Sequence, residues 1–480
     1  MKTTDLDVAI IGAGTAGLSA RAEVAKLTDR YRVFDPGPYG TTCARSACMP
    51  SKAFLQSAHD IHRRAAFDDL GIVGADGLRI DGARVLSQTR KLRDGLVEGV
   101  IEGMSPWRRT HLVPHAPVFQ GDGTLHAGGA RFAPRATVIA TGSRPVVPKG
   151  WRETFGARVL TSDEIFELRT LPGRVAVIGL GPVGLELGQA LARLGVEVTG
   201  FDPSATIGGL EDPRLQSRLR QAIAAEMTVI EAQANPVEGH DGAIGVQWDD
   251  GRIEVDCLLV AMGRTPNLSD LGLNEIGVDL DDGGAPELRP GQINLPGTRL
   301  YFAGDVGRGP ALLHEAADEG RLAGYFAARD MDAGIRRRTP LRIVFCEPQI
   351  AVVGAPWHDL QDRGDAVVVG EAAFDQAGRT RLQRAAGGAV RIYAQKTTAR
   401  LLGAAILAPE AEHLAHLLAY AIDRGDDLQG LLAMPAYHPT HEEVLRRALR
   451  AALEKSDVDT PEIEAIRCKD TPDACGADQP

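Results

Sequence analysis

The sequence predicts an α/β protein built on two Rossmann-like dinucleotide-binding folds, and a repeated local grammar carries that expectation. The stretch "DVAIIGAGTAG" is a short apolar strand running into Gly12, Gly14 and Gly17 in GxGxxG spacing; a helical stretch follows, then the strand "YRVFDP", which ends at Asp35. Far downstream "RVAVIGLGPVG" supplies Gly179, Gly181 and Gly184, followed by the helix-like "LELGQALARLG" and the strand "VEVTGFDP", which ends at Asp202. In both copies the acid stands 23 residues after the first glycine. A lone GxGxxG is weak and reads equally well as a Gly-rich turn. A strand before it, a helix after it and an acid at this distance make the context in which it binds a dinucleotide. The first glycine allows the tight turn, the second lets backbone approach a pyrophosphate, and the third lets helix pack on strand. Phosphate then sits at the helix N-terminus. The carboxylate at the strand end accepts from a ribose 2′-hydroxyl and repels a 2′-phosphate.

The rest of the composition sets limits. With 480 residues, 44% apolar and 24% charged, the chain has room for two to four domains with large cores. A net charge of −11 gives no hint of a nucleic-acid partner, which clustered Lys and Arg normally meet. Runs such as "GIRRRTP" are short and read as surface. No run of 18 apolar residues argues for a spanning helix. The apolar stretch Val8 to Ile11 is a buried strand, too short for a signal peptide. A cytoplasmic protein without membrane or nucleic-acid partners is expected. Its few cysteines suit a reducing compartment, where a close pair is more often catalytic or metal-binding than structural.

One such pair is Cys43 and Cys48 in "TTCARSACMPSK". In a regular helix their Cα atoms lie about 8 Å apart along the axis, whereas a disulfide wants roughly 4.4 to 6.8 Å. The helix must therefore be distorted between them, and Ala44, Ala47 and Pro50 suit a crowded, bent first turn. A helix N-terminus and Arg45 would favour a thiolate, the reactive species. The bland alternative is a structural disulfide or two buried thiols.

With two dinucleotide motifs and a cysteine pair after the first, the chain resembles the flavoprotein disulfide reductases, the group that contains dihydrolipoamide dehydrogenase, glutathione reductase and mercuric reductase. The resemblance covers about residues 5 to 455 and rests on motifs in family order: "IIGAGTAG", "TTCARSACMPSK", "VIATGSRP", "VIGLGPVGLE", "AMGRTPN", "YFAGDV" and "YHPTHEE". It implies that the first fold holds FAD, the second a nicotinamide dinucleotide, read as NAD, and that a C-terminal α+β domain dimerises. The expected division is 1–145 and 271–340 for the FAD and central parts, 146–270 for the NAD domain, 341–455 for dimerisation and 456–480 for a flexible tail. No metal site is expected.

The resemblance also implies roles. Cys43 becomes the interchange thiol facing substrate and Cys48 the thiol touching flavin, with Lys52 paired to Glu186 near the isoalloxazine. Asp305 in "AGDV" reads as a turn residue by pattern, and the resemblance makes it a partner of the FAD ribitol. Thr141 and Gly142 in "VIATGSRP" and Gly263 and Arg264 in "AMGRTPN" join the cofactor-binding set, although Arg264 also suits a structural role. The segment "GPALLHEAADEG" reads as a helix whose acids form a solvated face. Departures from the family pattern are Thr41, where glycine is usual, and "ARSA" between the cysteines.

His438 supplies an acid–base group, because dithiol exchange moves a proton off an attacking thiol and onto a leaving thiolate. Pro439 restricts it to an extended conformation just before a helix. Glu443 would orient the imidazole; the competing reading is a capping box of Thr440 and Glu443. The resemblance places His438 against the other subunit's Cys43 in a homodimer. The expected reaction passes electrons between a dihydrolipoyl-type dithiol, free or on a lipoyl carrier protein, and NAD. Alternatives are reduction of another disulfide, as glutathione or thioredoxin reductases do it, mercuric reduction, and a non-enzymatic NADH sensor. The tail cysteines Cys468 and Cys475 are read as incidental thiols, with an electron relay as the less favoured alternative.

Overall fold

The computed structural model describes residues 3–289, 291–307, 309–331, 334–385 and 387–460. They form two compact units, Met1–Pro203 with Ile230–Arg337, and Ser204–Val229 with Arg338–Pro480. The tail cysteines Cys468 and Cys475 lie outside the described residues.

In the first unit the strand Thr3–Ile11 pairs in parallel with Tyr31–Phe34 on one side and Ala130–Ile139 on the other. Val8 to Ile11 are buried on both faces, as the unbroken apolar run requires of an internal parallel strand. Leu300–Phe302 returns from far along the chain to pair with Ala130–Ile139. The helix Thr15–Val24 lies against Leu313–Arg329 at backbone contact. A Cβ at Gly320 would stand 2.2 Å from the Ala16 carbonyl oxygen, and one at Gly324 2.3 Å from that of Ala20.

The second parallel sheet repeats the arrangement. Arg174–Ile178 lies between Glu197–Phe201 and Cys257–Val260, with Val159–Leu160 beyond. The helix Pro182–Arg193 begins on a proline, which lacks the N–H that a first-turn residue would leave unpaired. A two-stranded ribbon, Ser143–Pro145 against Arg264–Pro266, joins the two places where the chain passes between the sheets.

The second unit is a five-stranded antiparallel sheet running, in space, Leu341–Val344, Gln349–Gly354, Leu401–Ala408, Ala389–Gln395, Val367–Ala373. Helices Ala411–Arg424 and Glu442–Leu453 bury their apolar faces in its core. The segment 204–229 belongs here because of Asp212. Its carboxylate caps the helix Pro213–Ala224 at the Arg214 and Leu215 N–H groups, and accepts from Arg391 at 2.7 Å and Tyr393 at 2.6 Å. Residues 456–460, expected to begin a flexible tail, are tied down: Asp457 N–H donates to the Lys396 carbonyl at 2.8 Å, and Val458 packs on the core.

Two of the surface readings need correction. Glu315 and Glu319, assigned to a solvated helix face, are 7% and 3% exposed. Arg337 from the "RRR" run reaches in to pair with both, and Glu319 also accepts the Gly304 N–H at 2.7 Å. Burial pushes the Glu319 carboxyl up, and the guanidinium opposes it. Helical periodicity alone could not supply the partner that makes two acids tolerable inside.

Candidate active site

Both glycine loops have the same construction. Gly12 and Gly179 sit at φ 105° and 93°, backbone open to glycine. A Cβ at Gly17 would fall 1.9 Å from the Gly12 carbonyl oxygen, and one at Gly184 the same 1.9 Å from that of Gly179. At Gly14 and Gly181 a Cβ would meet nothing within 4 Å, so each helix N-terminus faces open space. The acids fold back onto the loops: Ala13 N–H donates to Asp35 Oδ2 at 2.6 Å and Leu180 N–H to Asp202 Oδ2 at 2.7 Å. Gly37 N–H also donates to Asp35 Oδ1, at 2.7 Å. A carboxylate has about four lone-pair positions, so acceptor capacity remains for a ribose hydroxyl. A dinucleotide fits this donor set.

The helix is broken between the cysteines, as their spacing requires. One turn, Thr42–Arg45, ends at Ser46 and Ala47 in non-helical backbone, and a new helix, Cys48–His62, begins. Both cysteines are half-buried thiols. Cys43 donates its hydrogen bond to Cys48, which together with burial pushes the Cys43 thiol far up. The same hydrogen bond pulls Cys48 down to about 7 against burial, and the Lys52 ammonium adds to the pull. The geometry thus makes two chemically unlike sulfurs from neighbours in sequence.

Lys52 Nζ lies 2.9 Å from Glu186, whose carboxylate is buried, and Ser51 Oγ donates to the same group at 3.3 Å. The first-half cysteine helix and the second glycine-loop helix are therefore joined by this pair. Thr41 stands at φ 61°, ψ 149°, and its hydroxyl accepts the Ala44 N–H at 3.2 Å. A β-branched residue held there costs about 1–3 kcal/mol, which a cap worth about 1 kcal/mol offsets in part.

Around the ribbon, Asp305 accepts from Ser143 Oγ at 2.6 Å, and Arg264 donates to that hydroxyl at 2.8 Å and to the Ser143 carbonyl at 2.7 Å. Thr141 Oγ1 donates to the Asn267 carbonyl at 2.7 Å. Gly142 takes φ 68° and Gly263 φ 97° at the two strand entries. Arg264 is thus engaged in holding the turn. Ser143, Asn267, Ser51 and Glu319 are the members that sequence reasoning missed. Ser143 stood inside a quoted motif, but no spacing marks a serine that bridges an arginine to an aspartate 162 residues away.

On the second unit, His438 Nδ1 lies 3.0 and 3.1 Å from the Glu443 carboxylate oxygens, and its side chain is 77% exposed. The hydrogen bond with His438 holds the Glu443 carboxyl below the usual range. Glu443 also accepts the Thr440 N–H at 3.2 Å, while Thr440 Oγ1 donates to the Tyr437 carbonyl at 2.8 Å. Half of a capping box and the imidazole-orienting contact therefore coexist on one carboxylate.

Residues 6–320 match the family described as pyridine nucleotide-disulphide oxidoreductase, and residues 341–449 match its dimerisation domain. The dihydrolipoyl dehydrogenase of Staphylococcus aureus is 28% identical over 459 residues, covering 94% of this chain and 97% of the relative. That of Thermus scotoductus is 30% identical over 466 residues, covering 94% and 98%. Among solved structures, the Cu(II) complex of the HOCl-induced flavoprotein disulfide reductase RclA from Escherichia coli superposes with a TM-score of 0.80 at 20% identity, over 94% of this chain and 99% of that one. LpdA from Mycobacterium tuberculosis gives 0.76 at 23%, over 93% and 99%. Among the described residues no helix is long and apolar enough to cross a membrane, and no cluster of three metal-ligating side chains occurs.

Proposed function

Because the chain belongs to the pyridine nucleotide-disulphide oxidoreductase family of enzymes, we propose that it passes electrons between a dihydrolipoyl-type dithiol and NAD, through the Cys43–Cys48 pair and a bound FAD. The observation that carries this reading is the half-buried Cys43 and Cys48 pair set across a helix break, beside the Lys52–Glu186 ion pair; the Cys43 hydrogen bond that lowers the Cys48 thiol is consistent with it. FAD, when bound, supplies the two-electron relay between that pair and the nicotinamide.

The chain's own residues do the rest. The loop of Gly12, Gly14 and Gly17 with Asp35, and the Ser143-braced Asp305 turn, hold the FAD; the loop of Gly179, Gly181 and Gly184 with Asp202 holds NAD. A substrate thiolate attacks Cys43 Sγ of the oxidised pair and Cys48 Sγ leaves as a thiolate. A second substrate thiolate then resolves the mixed disulfide, releasing the substrate disulfide and leaving Cys43 and Cys48 reduced. His438, oriented by Glu443, takes the proton from the incoming thiol. In a homodimer this histidine serves the partner subunit's Cys43. The division expected from the sequence, with 1–145 and 271–340 around FAD, 146–270 around NAD and 341–455 dimerising, belongs to the same proposal, as does a cytoplasmic location.

The relatives named dihydrolipoyl dehydrogenase support the lipoyl substrate. NADH-driven reduction of another disulfide is the second reading, favoured by Thr41 and the "ARSA" residues between the cysteines, which alter the substrate side of the pair. Initial rates of NAD reduction with dihydrolipoamide, set against NADH oxidation with lipoamide, glutathione disulfide and oxidised thioredoxin, separate the two. A chain that turns over glutathione disulfide or thioredoxin and ignores lipoamide would sink the lipoyl assignment.

A further inference from the structure

The turn that presents Cys43 is held by a residue whose backbone works against its own side chain. Thr41 occupies φ 61°, ψ 149°, where Cβ crowding leaves essentially only glycine unstrained. From there it supplies two acceptors to one turn: its hydroxyl to Ala44 N–H at 3.2 Å and its carbonyl to Arg45 N–H at 3.1 Å. A four-residue helix cannot sustain itself, because fixing a first turn costs more than its own hydrogen bonds return. Cys48, by contrast, opens a helix of 15 residues that Ser51 and Lys52 fasten to buried Glu186. One sulfur of the pair is on a rigid element, and the other hangs on a turn closed at its start by Thr41.

We propose that Thr41 is a positioning residue for the cysteine pair: its hydroxyl fixes the Thr42–Arg45 turn so that the Cys43 thiol is aimed at the Cys48 sulfur. The inference rests on the reading of Cys43 and Cys48 as a redox pair. Strain and cap are separable by substitution. Thr41→Ser keeps both, Thr41→Ala keeps the strain and loses the cap, and Thr41→Gly loses both.

The test is a pH titration of ultraviolet thiolate absorbance in the reduced, full-length holoprotein, with thermal unfolding of each variant alongside. Thr41→Ser should titrate like the parent. Thr41→Ala and Thr41→Gly should titrate higher: a rise from about 7 to about 8 cuts the thiolate present at pH 7 roughly fivefold. Thr41→Gly should also melt above Thr41→Ala, because it relieves the backbone. If Thr41→Ala fails to fold, the comparison of Ser with Gly decides. Parent-like titration of Thr41→Gly overturns the proposal. Failure of the redox reading looks different: NADH would then leave the oxidised parent's disulfide intact while the Thr41 series still moved.

Discussion

The acidified sulfur of Cys48 has consequences for stability as well as reactivity. Its folded value, about 7, lies below the ordinary 9.0, so its contribution to stability is full above about 9 and is lost as pH falls through about 7. Cys43 is shifted the other way, so its contribution is present below the ordinary thiol value and falls away as pH rises beyond it. Thermal unfolding of the reduced protein should therefore show stability rising from pH 7 to 9, and Cys48→Ser should flatten that rise. An unchanged slope in Cys48→Ser would assign the titration to another group. Cys43→Ala should abolish dithiol turnover and also raise the Cys48 titration, since the side-chain donor that lowers it is gone. At His438, replacement by Gln should lower kcat by roughly 10²- to 10⁴-fold, the usual range for a lost acid–base group. Glu443→Gln should lose less, because the imidazole stays and only its orientation is freed. Equal rates in His438→Gln and the parent would remove the histidine from the chemistry.

At the level of the element, the two glycine loops give matched predictions. The van der Waals space around Gly17 and Gly184 is already filled by a carbonyl oxygen 1.9 Å from an added Cβ. Alanine at either position must push a helix off its strand. Gly17→Ala should reduce the flavin retained through gel filtration, and Gly184→Ala should raise the KM for NADH while flavin content stays at parent level. Loss of flavin in both variants, or in neither, would contradict the assignment of the two loops. Coenzyme choice belongs here too. Asp202→Ala should narrow a preference for NADH over NADPH, measured as the ratio of kcat/KM values, and a parent enzyme that prefers NADPH would show Asp202 to be misread.

For the whole molecule, His438 sits on the dimerisation-domain match and 77% of its side chain is open in one chain, with Glu443 as its side-chain hydrogen-bond partner among the described residues. An exposed imidazole so placed is suited to a site completed by a second copy. Purified heterodimers of Cys43→Ser and His438→Gln subunits should regain one native site each, and hence activity well above that of either homodimer. Inactive heterodimers would place the chemistry within one subunit. A chain cut after Thr460 should keep small-dithiol turnover and flavin content, because the contacts of Asp457 and Val458 are retained.

The sequence by itself determined what depends on spacing along the chain: the paired glycine loops with their acids, the break between Cys43 and Cys48, and the Glu443 contact of His438. These are local, so a few consecutive residues carry both the signal and the geometry. It did not determine which sulfur is acidic, which buried acid finds which arginine, or which body a segment joins. Cys48 is lowered by a hydrogen bond across a helix break and by Lys52. Glu319 lies buried because Arg337 arrives from beyond the helix. The segment around Asp212 sits with the C-terminal sheet through Arg391 and Tyr393, about 180 residues away. Such pairings are fixed by desolvation and hydrogen-bond satisfaction in the folded interior, where the cost of an unpaired polar group depends on everything packed around it and leaves no period in the sequence.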